Sequence, residues 1–155
     1  MPVTVRWFGD DFRDHLYKTG VRPGMLEAAT ALQRRLVSYL SRSGTGKHWP
    51  GSKYRSSAPG RPPTPQTGRL RNSIQIDQSG MQEARRRPRL FVGTNIKGLG
   101  GKPGYPFWLE YGLGRTLKGK ARPWMRPVWK RMQNHLQKVI GNRVAKSVLT
   151  YDGPS

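Results

Sequence analysis

Two apolar stripes at helical spacing, with a pair of short β-prone runs between them, predict an α+β chain of two long helices and a small, mainly antiparallel β-sheet. The first stripe is Met25, Ala29, Leu32, Leu36 and Tyr39/Leu40; the second is Met125, Val128/Trp129, Met132, Leu136 and Val139/Ile140. Both recur at steps of three and four residues, as one face of a helix must. The β-prone runs lie around Ile74–Gln78 and over Arg89–Thr94. The 155 residues suit one domain, assigned to 1–150, with 151–155 a flexible tail.

Val3–Phe8 is β-prone and is stopped by Gly9. Asp10 can cap a short helix to about Lys18, with Phe12, Leu16 and His15 on one side. Thr19–Gly24 (TGVRPG) reads as a connector on its glycines and proline. Met25–Leu40 is the first long helix, and Gln33, Arg34 and Arg35 face away from its stripe. From Ser41 to Gln66 the periodicity vanishes, and Gly, Ser, Pro and Arg predict a long extended loop. Loops of that length inside a compact domain are usually functional or disordered.

Thr67–Ile74 reads as a helical turn capped by Thr67, leading into the first strand. The run Arg85-Arg86-Arg87-Pro88-Arg89 cannot be helical throughout, because Pro88 disfavours the α region at Arg87. It is expected to be an exposed basic turn that joins the two strands as a hairpin. On the second strand Leu90 and Val92 share one face and Phe91 takes the other. Asn95–Gly104 is a Gly-rich loop, Tyr105–Tyr111 a short aromatic segment, and Gly112–Gly119 irregular. The last helix is expected to start at Arg122-Pro123-Trp124, where proline suits a first turn. Gly141 either ends or weakens it, and its stripe carries it to about Leu149.

The chain holds 29 Lys+Arg against 8 Asp+Glu, a formal net charge of +21. Such an excess attracts polyanions and repels copies of itself, so nucleic acid and acidic protein surfaces are the first partners to consider. No apolar run approaches the ~18 residues a membrane helix needs, and the N-terminus lacks the basic-then-apolar order of a secretory signal. The absence of cysteine removes disulfides, zinc fingers and thiolate chemistry, with the cytosol as default compartment.

Catalytic residue types are sparse. His15, His48 and His135 share no metal-ligand spacing, and carboxylates are too scattered to nominate an acid–base pair. Glu110 alone sits in a dense motif, where a hydrogen-bonded structural role outweighs a general base. Gly44-Thr45-Gly46-Lys47 lacks phosphate-loop spacing, and His48 stands where the Mg²⁺-binding hydroxyl belongs. Trp124 and Trp129 fall on or near the helix stripe and are expected to pack; Trp49 is the aromatic placed for exposure. No catalytic residue, metal or cofactor is assigned.

Three segments in order carry a resemblance. The stretch Tyr54-Arg55-Ser56-Ser57-Ala58-Pro59-Gly60-Arg61-Pro62-Pro63-Thr64-Pro65-Gln66-Thr67-Gly68-Arg69-Leu70-Arg71-Asn72-Ser73-Ile74 resembles the S-A-P-G-x-P-P-x-x-x-T-G-x-L-x-x-S-I core of the HK97 gp10-like family of tailed-phage proteins. Tyr105-Pro106-Phe107-Trp108-Leu109-Glu110-Tyr111-Gly112 is similar to its Y-x-x-x-x-E-x-G segment. Ala121-Arg122-Pro123-Trp124-Met125-Arg126-Pro127-Val128 is similar to its A-R-P-F-(L/M)-x-P-A segment, with Val128 in place of the commoner Ala.

The resemblance implies a non-enzymatic virion protein assembled in the host cytoplasm. It would be a neck or tail-completion adaptor that forms a ring between the head connector and the tail, and leaves a channel for double-stranded DNA. A hexamer is preferred, with a dodecamer the alternative. The implied partners are sister subunits, connector or head-completion proteins and tail-tube or terminator proteins, with no membrane and no small-molecule substrate. The implied fold packs the small sheet with the two long helices and carries the Pro/Gly-rich loop.

Its motif residues become the interface candidates: Tyr54, Pro59, Gly60, Pro62, Pro63, Thr67, Gly68, Leu70, Ser73, Ile74, Glu110, Gly112, Arg122 and Pro123. Plain turn-making competes with that role at each of them. Physically, the prolines stiffen an extended arm and lower its ordering cost on docking, Gly68 permits close backbone approach, and Glu110 is placed to pair with Arg122 or Arg71. Arg85, Arg86, Arg87 and Arg89 are candidates for DNA or acidic-partner contact.

Magnitudes limit how much charge can face DNA. A channel about 40 Å tall encloses on the order of 24 duplex phosphates, whereas six copies at +21 carry 126 formal positive charges. Most of the charge is therefore expected to lie elsewhere, against acidic neighbouring rings or in mobile arms, with a minority facing DNA. The other function class is a basic nucleic-acid-binding protein, for packaging or regulation.

Overall fold

The computed structural model describes residues 9–42, 51, 55, 57, 60–63, 68–82, 88–96, 104–112 and 121–153. The expected strand at Val3–Phe8 lies outside them. Among the described residues six α-helical elements and two strands follow in order. They are α1 (Gly9–His15), α2 (Arg22–Leu40), α3 (Arg69–Asn72), β1 (Ile74–Asp77), α4 (Ser79–Gln82), β2 (Phe91–Thr94), α5 (Tyr105–Tyr111) and α6 (Arg126–Leu149). The fold is α+β and mostly helical.

The expected connector at Thr19–Gly24 is helical instead. Six residues of wider π-type helix, Leu16–Val21, join α1 to α2, so residues 9–40 form one helical run. The residues that looked like breakers have packing roles. Pro23 follows directly on the π turn, whose last bond is from the Arg22 N–H to the Tyr17 carbonyl, and it lacks the N–H that would continue that series. Gly20 and Gly24 let the run lie directly on α6. A Cβ on Gly20 would sit 2.9 Å from the Ser147 Cβ, and one on Gly24 3.1 Å from the Arg143 Cβ.

Gly20 opposes Ser147, while Gly24 opposes Ile140 and Arg143, so the long helices run antiparallel. Arg143 donates to the Glu27 carboxylate at 2.7 Å across the same seam. The core between them joins Ala28, Leu32, Leu36 and Leu40 to Trp124, Val128 and Leu136, with Leu70 and Ile74 closing one side. Burying these side chains supplies the main driving force for the fold.

The sheet is a single antiparallel pair, registered Ile74↔Thr94 and Asp77↔Phe91. Ile74 and Val92 face the core, and Phe91 points to water on the other side, as its alternation predicts. Two strands alone are marginal; this pair leans on α2, where Gln33 Nε2 donates to the Ile74 carbonyl at 2.9 Å. Gln33 thus faces the sheet, contrary to expectation, while Arg34 and Arg35 are exposed. β2 begins at Phe91 rather than Arg89, whose N–H bonds the Gly80 carbonyl. The short helix α4 lies in the connection, and Tyr17 of the π segment donates its hydroxyl to the Met81 carbonyl.

The last helix starts four residues later than expected. Continuing it back to Arg122 would drive the Pro127 ring into the Pro123 carbonyl, one turn upstream. Pro127 therefore occupies the first turn, and Arg122–Trp124 remains outside the helix. Gly141 neither ends nor interrupts it. Trp124 is buried, as expected, but Trp129 is half exposed, because Val128 takes the core position beside it. No described helix is long and apolar enough to cross a membrane.

Candidate functional site

The two later motif blocks meet at the start of α6. That helix opens on Met125 with no side-chain cap of its own, so its first N–H groups need an acceptor from elsewhere. Glu110, near the end of α5, provides one. Its Oε2 accepts the backbone N–H of Trp124 at 2.7 Å and of Met125 at 2.9 Å, and its Oε1 accepts that of Arg126 at 3.0 Å. The Arg126 guanidinium donates to the same Oε1 at 3.0 Å and to the Glu110 carbonyl at 3.2 Å. A carboxylate at the positive end of a 24-residue helix is also favoured by the helix dipole.

Further bonds lock α5 to the same segment. The Arg122 N–H bonds the Leu109 carbonyl at 2.7 Å, and the buried Trp124 indole donates to the Pro106 carbonyl at 3.1 Å. Gly112 then turns the chain away with φ +83°, a left-handed conformation that favours glycine. Burial acts to raise the Glu110 pKa, but the three backbone donors and the guanidinium outweigh it and hold the carboxyl below its ordinary value. Its lone pairs are thus committed to capping, which makes it a structural anchor and a poor general base.

The partner expected for Glu110 needs correction: Arg126 pairs with it, not Arg122 or Arg71. Arg122 contributes its backbone, and its Nε is buried without a hydrogen-bond partner. Arg71 donates instead to Asn72. Pro123 is half-buried between Arg122 and Trp124.

The proline-rich block reaches the same place. The Gly60 N–H bonds the Ala121 carbonyl at 2.9 Å, with Gly60 itself at φ +79°. Pro63 and Ser57 are buried and Pro62 half-buried. Gly68, at φ +69°, precedes α3 without a side-chain cap, and its carbonyl accepts the Asn72 N–H. Leu70 and Ile74 belong to the core. Ser73 donates to the Leu70 carbonyl at 2.7 Å and meets the Thr94 hydroxyl across the sheet. These three residues give the arm its footing and offer little surface. Tyr54, Pro59 and Thr67 lie outside the described residues, as do Arg85, Arg86, Arg87 and Trp49; Arg89 is exposed.

Around this junction large aromatic residues stand in water: Phe107 is 45% exposed, Tyr111 58% and Trp129 49%, with Tyr105 at the start of α5 also exposed. Phe107 stacks on Tyr111 with ring centroids 4.7 Å apart, and the Arg126 guanidinium lies 4.8 Å above the Tyr111 ring. Sequence reasoning missed this face because it treated Tyr105–Tyr111 only as an aromatic block; reading it as a helix would have paired Phe107 with Tyr111 on one side and Glu110 with Pro106 on the buried side. The missing cap residue before α6 was a second overlooked signal. Among the described residues no cluster of His, Asp or Glu could hold a metal ion.

No protein-family model, curated protein or solved structure matches this chain.

Proposed function

We propose that this chain is a structural virion protein of a tailed bacteriophage. In this reading it is a ring-forming neck or tail-completion adaptor that joins the head connector to the tail around a DNA channel. The observation that carries the proposal is the convergence of the three family-like blocks on one junction. Glu110 caps the Trp124–Arg126 backbone, and Gly60 of the proline-rich arm bonds Ala121. Segments far apart in sequence with unrelated roles need not meet; segments that build one docking platform must. The Glu110 carboxylate is used up in that junction, which suits an adaptor better than an enzyme.

Electron microscopy of particles made without this chain tests the proposal: DNA-filled heads beside unattached tails are expected. Normal, infectious particles would refute it, as would turnover of a substrate by the purified protein. The second reading is a nucleic-acid-binding protein, favoured by an α6 that carries Arg126, Lys130, Arg131, Lys138, Arg143 and Lys146 and no acidic residue. That protein would bind duplex DNA with a steep inverse dependence on salt. The adaptor would bind it weakly.

A further inference from the structure

Cations run the length of α6, but acidic residues gather at one end of it. At its C-terminal end sits α1, which carries Asp10, Asp11 and Asp14; Asp10 pairs with Arg13 at 2.7 Å within the helix, and Lys18 and Lys146 lie at the same end. His15 and Thr19 hold that end to Ser147, and Phe12 packs edge-on against Tyr151. At the N-terminal end lies the aromatic face of Phe107, Tyr111 and Trp129, with Arg126, Lys130 and Arg131 exposed around it. The nearest acid there among the described residues, Glu110, is buried and fully engaged. Trp129 and Lys130 follow Arg126 by three and four residues and so share its side of the helix.

We propose that this aromatic-cationic face docks the acidic α1 end of a second copy of the same chain, giving a head-to-tail subunit contact. Three observations favour a second copy over other occupants. The chain has only eight acidic residues, and α1 holds three of them within five positions. At 1.5 Å per residue, the 18 residues from Trp129 to Ser147 separate the two ends by roughly 27 Å, so one copy cannot satisfy its own face. Duplex DNA offers phosphates for the cations but little for three exposed rings, whereas Trp, Tyr and Arg together are the residues protein interfaces favour. Unlike surfaces that meet head to tail generate a ring when the rotation closes. Elsewhere the net charge of +21 keeps copies apart, so attraction is confined to this contact.

The inference rests on the ring-forming reading, and the two fail separately. The test is sedimentation equilibrium of the full chain up to about 1 mM, the effective concentration of tethered neighbours. Wild type is expected to form oligomers larger than dimers. Asp10→Lys/Asp11→Lys and Tyr111→Ala/Trp129→Ala should each weaken association at least tenfold. Mixed in equal amounts, the two variants should form 1:1 heterodimers and stop there, because one intact contact remains; that result also shows both are folded. Lys130→Glu should partly restore association to Asp10→Lys/Asp11→Lys. A wild-type monomer at about 1 mM, association that stops at a dimer, or a variant mixture that stays monomeric would overturn the contact. If tails fail to join without the chain while wild type stays monomeric, the contact alone is wrong. If joining proceeds without the chain while the heterodimer forms, the virion role alone is wrong.

Discussion

The two ends of α6 are built by opposite means. At the C-terminal end the chain completes its own packing with small residues: Gly20 brings the backbone onto Ser147, and the hydroxyls of Thr19 and Ser147 meet. At the N-terminal end one carboxylate, Glu110, gathers three backbone N–H groups and a guanidinium, while large aromatic rings beside it remain in water. A polar cap fixes a surface rigidly without covering it. The contrast sets an end closed by direct backbone packing against an end whose aromatic rings stay exposed.

Breaking the cap should have the largest effect. Glu110→Ala strands several poorly solvated donors and should cost about 3 kcal/mol in urea unfolding, whereas Glu110→Gln keeps an acceptor and should cost less. The same pair gives the pH test. Because the folded Glu110 pKa is lowered, its charge contributes stability that is fully present above the ordinary carboxylate range. That contribution is lost as pH falls through the lowered folded value. The stability gap between wild type and Glu110→Gln should therefore close at acid pH; a gap independent of pH would contradict the assignment.

At the opposite end, Gly20→Val must displace Ser147 and should cost about 2 kcal/mol by overpacking. Little change in the unfolding midpoint would show that the helices can separate freely there. Gly141, in the same α6, has open space around it, so Gly141→Ala should gain about 0.5–1 kcal/mol from helix propensity. Smallest of all, Tyr111→Ala/Trp129→Ala should leave monomer stability within about 1 kcal/mol, as exposed positions do. A much larger loss would mean those rings support the fold and not a partner.

The sequence revealed those parts of the fold that depend on local periodicity. The stripes of α2 and α6 and the outward Phe91 follow from spacing alone, and the antiparallel pairing of β1 with β2 from their short connection. Misreadings arose where the deciding contact lies far along the chain. Gly20, Pro23 and Gly24 carry the usual marks of a connector, and only α6 packed against them explains why the helix continues. The partner of Glu110 depended on where α6 begins, which Pro127 decides by excluding Pro123 from the helix. Trp129 shows the limit of a stripe: Val128 and Trp129 compete for one core position, and spacing cannot say which wins.

The most direct measurement is a joining assay with heads and tails made in the absence of this chain. Purified wild-type protein should restore joined, infectious particles. Tyr111→Ala/Trp129→Ala, equally stable as a monomer, should lower the yield at least about tenfold, the loss expected when an interface anchor is removed. Equal restoration by both proteins, or joined particles before any protein is added, would contradict the account.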